Sequence, residues 1–185
     1  SLAKVLDTAN SPLQRTNSYS HQWELSSTLN LKPFTLMPSI VWKMNHETLD
    51  YQRGHIDTAA VRNTSALSPS LMVRMKIDKM STLEANYDHH TYFPELLSTI
   101  GYRDDTDPLN VREGNTGLHT YYDYHVNVNF RTNIMKGEQS LMVSVDYLKN
   151  IATPNNVFYY NAKTGAYRSH QENLQGGDNW KFSAN

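Results

Sequence analysis

The residues in this 185-residue chain best suited to bind a metal or carry a proton are its eight histidines and eighteen carboxylates. It has no cysteine, which excludes a disulfide framework, a thiolate nucleophile and a zinc ribbon. The densest set is Asp88-His89-His90, followed by His119 and His125. Asp and His at that density suggest a metal site. In an extended segment, however, His89 and His90 point to opposite faces, which a shared ligand set does not allow. The run Asp104-Asp105-Thr106-Asp107-Pro108 clusters hard carboxylates but lacks the ligand, Gly and Glu spacing of an EF-hand, so a solvated acidic loop is expected. Gly114-Asn115-Thr116-Gly117 is too short to cradle a phosphate and reads as a tight turn. No Ser-His-Asp or paired-carboxylate spacing stands out. The chain is therefore read as a non-enzyme, with no catalytic residue, metal ligand or cofactor site.

Such side chains need elements to hold them, and composition narrows the choice. The chain is 38% hydrophobic, and 12 of its 20 aromatic residues are tyrosine. The mean hydropathy of −0.64 is low for a globular domain. A formal net charge of −1 gives no electrostatic case for a nucleic-acid partner. No apolar run approaches the roughly 20 residues of a helical membrane span. The first twenty residues show no basic segment leading into an apolar stretch, so no signal peptide is expected in them.

Helical periodicity is confined to "SLAKVLDTA" and to a turn at "PELLSTIGY". Residues 1–20 are expected to form a loop or short helix. Residues 21–185 are expected to form a single all-β segment, an antiparallel meander of about 7–9 strands. Predicted strands are "QWELSSTLNL", "FTLMPSIVWKM", "LSPSLMVRMKI", "STLEANYDHHTYF", "YYDYHVNVNFR" and "SLMVSVDYL". A hairpin follows around Ala162-Lys163-Thr164-Gly165, and a last strand starts in "GGDNWKFSAN". Tight turns are predicted at Lys32-Pro33, Asp78-Lys79-Met80 and Ile134-Met135-Lys136-Gly137, with long polar connections at the opposite strand ends.

The alternation has two readings. In a soluble domain the apolar parity packs a core; in an outer-membrane barrel it meets lipid and the polar parity lines a wet lumen. Short turns at one end and long loops at the other favour the barrel, because soluble sandwiches carry loops at both ends. On that reading Leu71, Val73, Met75, Leu83, Tyr122, Tyr124, Val126, Val128, Phe130, Leu141, Val143 and Val145 face lipid. Glu84, Asp88, Asp123, His125, Asn127, Asn129 and Arg131 face the lumen. Tyr92, Phe93, Tyr102, Phe158, Tyr159, Tyr160 and Tyr167 either stack on a ligand or, the favoured reading, form an aromatic girdle at the bilayer edge.

From Leu67 to Trp180 the sequence also resembles the barrel region of TonB-dependent outer-membrane receptors, in the outer membrane protein beta-barrel family with SusC-like relatives. The resemblance lies in "LSPSLMVRMKIDKMSTLEANYDHHTYFPEL", "DPLNVREGNTGLH" and "LMVSVDYLKNIATPNNVFYYNAKTGAYRSHQEN". Its most specific part is Asp107-Pro108 followed by Gly114-Asn115 and Leu118; His119-Thr120-Tyr121 departs from the family's usual continuation. It implies an internal fragment of a transmembrane barrel in a Gram-negative outer membrane, importing a bulky nutrient such as a glycan or siderophore. Membrane lipid, TonB, a plug domain and a surface lipoprotein are the implied partners. Alone, such a fragment is expected to self-associate through its open edges and apolar face. The alternative is a soluble secreted β-sandwich that binds carbohydrate through its tyrosine-rich loops.

Overall fold

The computed structural model describes residues 11–134 and 139–185. The segments that alternate in sequence are strands in the structure. The full set of strands is β1 Leu13–Ser26, β2 Leu29–Leu31, β3 Phe34–Arg53, β4 Ile56–Lys76, β5 Ser81–Tyr92, β6 Arg103–Asp104, β7 Asn110–Glu113, β8 Tyr121–Ile134, β9 Gln139–Ile151, β10 Pro154–Asn161, β11 Ala166–Asn173 and β12 Asp178–Ala184. The main sheet has the order β1-β3-β4-β5-β8-β9-β12, with β2 paired to β3, and all its pairings are antiparallel. Spatial order follows chain order, which makes it the expected meander. β1 and β2 are one strand interrupted at Ser27-Thr28, where the Ser27 N–H donates to the Pro38 carbonyl at 3.1 Å.

Two of the three short turns lie in described residues and form where they are predicted. At Asp78 the carboxylate accepts the Met80 and Ser81 N–H groups at 2.7 Å each, and the Met80 bond foremost holds its pKa below the ordinary range. At Lys32-Pro33 the Pro33 carbonyl accepts the Lys76 N–H at 3.1 Å. The pairing of Ile134 with Gln139 frames the third turn, whose residues 135–138 lie outside the described residues. The helix expected in "SLAKVLDTA" also lies outside them.

The long connections differ from expectation. "NHETLDYQRGHIDTAAVRNTSA" is not a loop. β3 and β4 run through it to the two-residue turn Gly54-His55, with Arg53 opposite Ile56 and Gly54 at φ +56°. β1 likewise begins at Leu13, within the segment expected to be loop or helix. Both stretches carry polar side chains on both parities, so no period-two hydrophobic signal marks them as strand.

The other two connections, residues 93–120 and 152–177, contain their own structure. "PELLSTIGY" makes a 3-10 turn at Leu97–Thr99, and the predicted hairpin is β10–β11, with Gly165 at φ +72°. Together they build a second, four-stranded sheet in the order β10-β11-β7-β6, in which β11 and β7 are parallel. The hydrophobic cluster sits at this end: Leu49, Tyr51 and Ile56 of the β3–β4 hairpin are buried against Leu96, with Ala60, Leu97 and Ile100 around them.

Candidate functional site

The register of the main sheet sorts the side chains by face. One face carries the rows Met75–Leu83–Phe130–Val143, Val73–Ala85–Val128–Val145–Phe182 and Leu71–Tyr87–Val126–Tyr147–Trp180. Leu141, Tyr122 and Tyr124 share it, so all twelve residues expected to face lipid are on one surface. The opposite face carries Arg74–Glu84–Asn129–Ser144–Ser183, Met72–Asn86–Asn127–Asp146–Lys181 and Ser70–Asp88–His125–Leu148–Asn179. Asp123 and Arg131 complete it, so the seven residues expected in the lumen are also together.

The polar face is a connected network. Arg74 pairs with Glu84 at 2.8 Å, Asn127 donates to Asp146 at 2.6 Å, and Asn129 donates to Asn127. His125 Nε2 lies 3.6 Å from Asp146, and Ser144 and Ser183 share a hydrogen bond of 2.5 Å. Asp146 and Lys181 went unnominated, although the parity of "SLMVSVDYL" and "NWKFS" places both on the polar face. The histidines do not converge. His89 stacks on Tyr124 on the apolar face, with centroids 4.7 Å apart, while His90 is on the polar face and His119 bonds the Thr120 carbonyl.

The outer end is built as a joint. Asp104 is 4% exposed and bonded to Arg53 of β3 at 2.5 Å, and it accepts the Thr106 N–H at 3.2 Å. This corrects the expectation of a solvated acidic loop at Asp104 alone, since Asp107 is exposed and Asp105 half-exposed in a loop: the hairpin tip that buries Asp104 was itself read as a loop. Burial alone would raise the Asp104 pKa, but the Thr106 hydrogen bonds and the Arg53 guanidinium together hold it below the ordinary carboxylate range. Asp107 is held low as well, by the Asn110 side chain at 2.7 Å and the Leu109 N–H at 3.0 Å. Tyr102 packs on Tyr51 at 5.8 Å, and burial raises its hydroxyl pKa.

Asn115 to Leu118 do form a turn, the Leu118 N–H donating to the Asn115 carbonyl at 3.1 Å, but Gly114-Asn115 also ties the two insertions together. The Asn115 N–H donates to the Ser98 carbonyl at 2.7 Å and its side-chain amide donates to the Gln171 carbonyl of β11 at 2.8 Å. A Cβ at Gly114 would lie 1.8 Å from the Ile100 carbonyl oxygen, which explains the glycine. Glu113 adds ion pairs to Arg103 at 2.8 Å and Arg168 at 3.4 Å. Phe158, Tyr159, Tyr160 and Tyr167 stand on β10 and β11, not at the ends of main-sheet strands where a girdle belongs, because that hairpin folds toward β7. The main sheet instead pairs Trp23 with Trp42, centroids 5.2 Å apart, on its apolar face.

Residues 43–185 match the model of the outer membrane protein beta-barrel family. The chain belongs to that family. Four chains of solved structure also match. One is the siderophore receptor PirA from Pseudomonas aeruginosa, with TM-score 0.66 and 12% identity over 92% of this chain and 39% of that one. A second is the FrpB iron transporter from Neisseria meningitidis, with TM-score 0.59 and 12% identity over 91% and 23%. A third is a double mutant of the Serratia marcescens hemophore receptor HasR, solved with its hemophore HasA and heme, with TM-score 0.54 and 12% identity over 94% and 39%. No curated protein sequence matches the chain.

At that identity the solved receptors establish the fold, and the chain spans between 23% and 39% of their length. The main sheet is thus a section of outer-membrane β-barrel wall, located in the outer membrane of a Gram-negative cell.

Proposed function

We propose that this barrel section is part of a receptor that imports a bulky nutrient across the outer membrane, energised from the periplasm through TonB. In this reading the apolar face meets lipid, the polar network faces the lumen and its plug domain, and the outer sheet helps capture the ligand, alone or with a surface lipoprotein.

One observation carries the orientation: the apolar face has no protein cover. Among the described residues the buried hydrophobics are Leu49, Tyr51, Ile56, Ala66, Leu96 and Val111 alone, whereas Leu71, Val143, Trp180 and Phe182 stay 37–70% exposed. A sandwich must bury that face.

The apolar band is also skewed relative to the hydrogen-bonded rows. Pro38 and Tyr147 share a row. The apolar parity continues six residues up β3 from Pro38 to Met44, but meets Lys149 only two residues up β9 from Tyr147. Downward, it continues six residues on β9 to Leu141 and four on β3 to Phe34. Strands tilted by about 35–45° in a flat bilayer require such a slant.

The transport half of the proposal is tested by deleting the intact receptor and measuring uptake and growth on a panel of glycans and ferric chelates. Loss of one nutrient class, reproduced by loss of TonB, is the expected result. Uptake of that class that persists without TonB would overturn it.

A further inference from the structure

Resting on the lipid-facing assignment just proposed, we infer that the membrane ends part-way up β3 and β4. The strands then continue into water as a blade above the outer leaflet. The evidence is an inversion of side-chain parity along β3. From Phe34 to Met44 the even positions are apolar: Phe34, Leu36, Pro38, Ile40, Trp42 and Met44. Beyond Met44 they turn polar, with His46, Thr48, Asp50 and Gln52, and the odd positions Leu49 and Tyr51 become the buried ones. The partners invert too. Phe34 to Trp42 face Met75, Val73, Leu71, Pro69 and Leu67, whereas Met44, His46, Thr48, Asp50 and Gln52 face Ser65, Asn63, Val61, Ala59 and Asp57, of which Val61 is the one large apolar side chain.

Two-sided burial does not explain this, because the polar outer face of the blade is exposed while its inner face packs on Leu96. A change of solvent on the outer face does. Below the inversion that face meets hydrocarbon. Above it Asp50 and Asp57 meet water, and the hydrophobic cluster moves inward as in a soluble protein. The boundary itself has mixed chemistry. Trp23 and Trp42 pack there with tilted rings, the Trp42 indole N–H donates to the Ser65 hydroxyl at 2.8 Å, and two rows above Trp42 His46 shares a hydrogen bond of 2.7 Å with Asn63. An apolar ring with a satisfied polar tip belongs at the border between lipid and water. Asn45 to Arg53 are nine residues, so the blade rises about 30 Å along the strand at ~3.4 Å per residue. It carries Arg53, and through Asp104 the insertion sheet, clear of the headgroups.

The test is labelling of single cysteines in the intact receptor on whole cells with a membrane-impermeant maleimide. Thr48→Cys and Val61→Cys are expected to label, while Ile40→Cys and Leu71→Cys stay unlabelled by any water-soluble maleimide until detergent strips the lipid. Protection of all four would overturn the blade and leave the barrel reading standing. Labelling of Ile40→Cys and Leu71→Cys in native membranes would overturn both, and labelling of Thr48→Cys only after the outer membrane is breached would reverse the orientation. Hydroxyl-radical footprinting of the unsubstituted receptor in native membranes gives the same readout without substitution: Thr48 and Val61 modified, Ile40 and Leu71 protected.

Discussion

The lower main sheet and the outer assembly are made from one chain but obey opposite packing rules. In the lower sheet, Val128 and Val145 contact cross-strand neighbours on an open surface, and the polar side chains hydrogen-bond on the opposite face. In the outer assembly, Leu49 is 2% exposed, Asp104 is buried and ion-paired, and hydrophobic side chains cluster inward. On the orientation proposed above, the first has lipid as its solvent. The second is organised as an ordinary water-soluble core, too small to fold on its own and supported by the strands beneath it.

Substitutions sharpen that contrast. Leu49→Ala removes the most buried side chain of the cluster and should cost about 2–5 kcal/mol. The loss should appear as proteolytic nicking of residues 93–120 in the intact barrel protein, while heat-modifiable barrel mobility on gels is kept. If Val128→Ala opens the same loops, the two regions are not energetically separate.

A charge works the other way round. Val128→Arg should destabilise the intact barrel protein by about 2–4 kcal/mol in urea titrations in lipid vesicles, with little effect from Thr48→Arg. Equal costs at the two sites would erase the distinction.

The smallest effect is acid sensitivity. Because the Asp104 pKa is held below its unfolded value, its contribution is fully present above the unfolded pKa and is lost as pH falls through the folded one. Hydrogen exchange should therefore show residues 103–113 loosening below about pH 4 while β8 and β9 stay protected. Asp104→Asn should flatten that dependence.

These regions were not equally legible in the sequence. Tyr121 to Arg131 and Leu141 to Tyr147 declare strand and which side chains share a face by simple alternation, and the short connection between them implies that they pair. Residues 45–66 form strands just as regular, but both parities carry polar residues and only Leu49, Tyr51, Ile56 and Ala66 are buried, so they read as loop. The Arg53–Asp104 pair joins positions 51 apart and has no local signature. Gly114-Asn115 was visible as a motif, but its role was not, because its partners Ser98, Ile100 and Gln171 are brought to it only by the fold.

The parallel pairing of β7 with β11 has a consequence for the order of assembly. Val111 and Arg168, opposite each other in that ladder, are 57 positions apart, and β8 and β9 lie between them in the chain. Every main-sheet neighbour before them is a chain-adjacent antiparallel step, closed by a short loop at small entropic cost or delayed only by an insertion. The β7–β11 ladder must wait until β8, β9 and the β10–β11 hairpin have all been laid down, and such distant closures are slow. The four-stranded sheet thus takes its shape only after the wall from β1 to β9 has been laid down, and of the main sheet only β12 follows it in the chain.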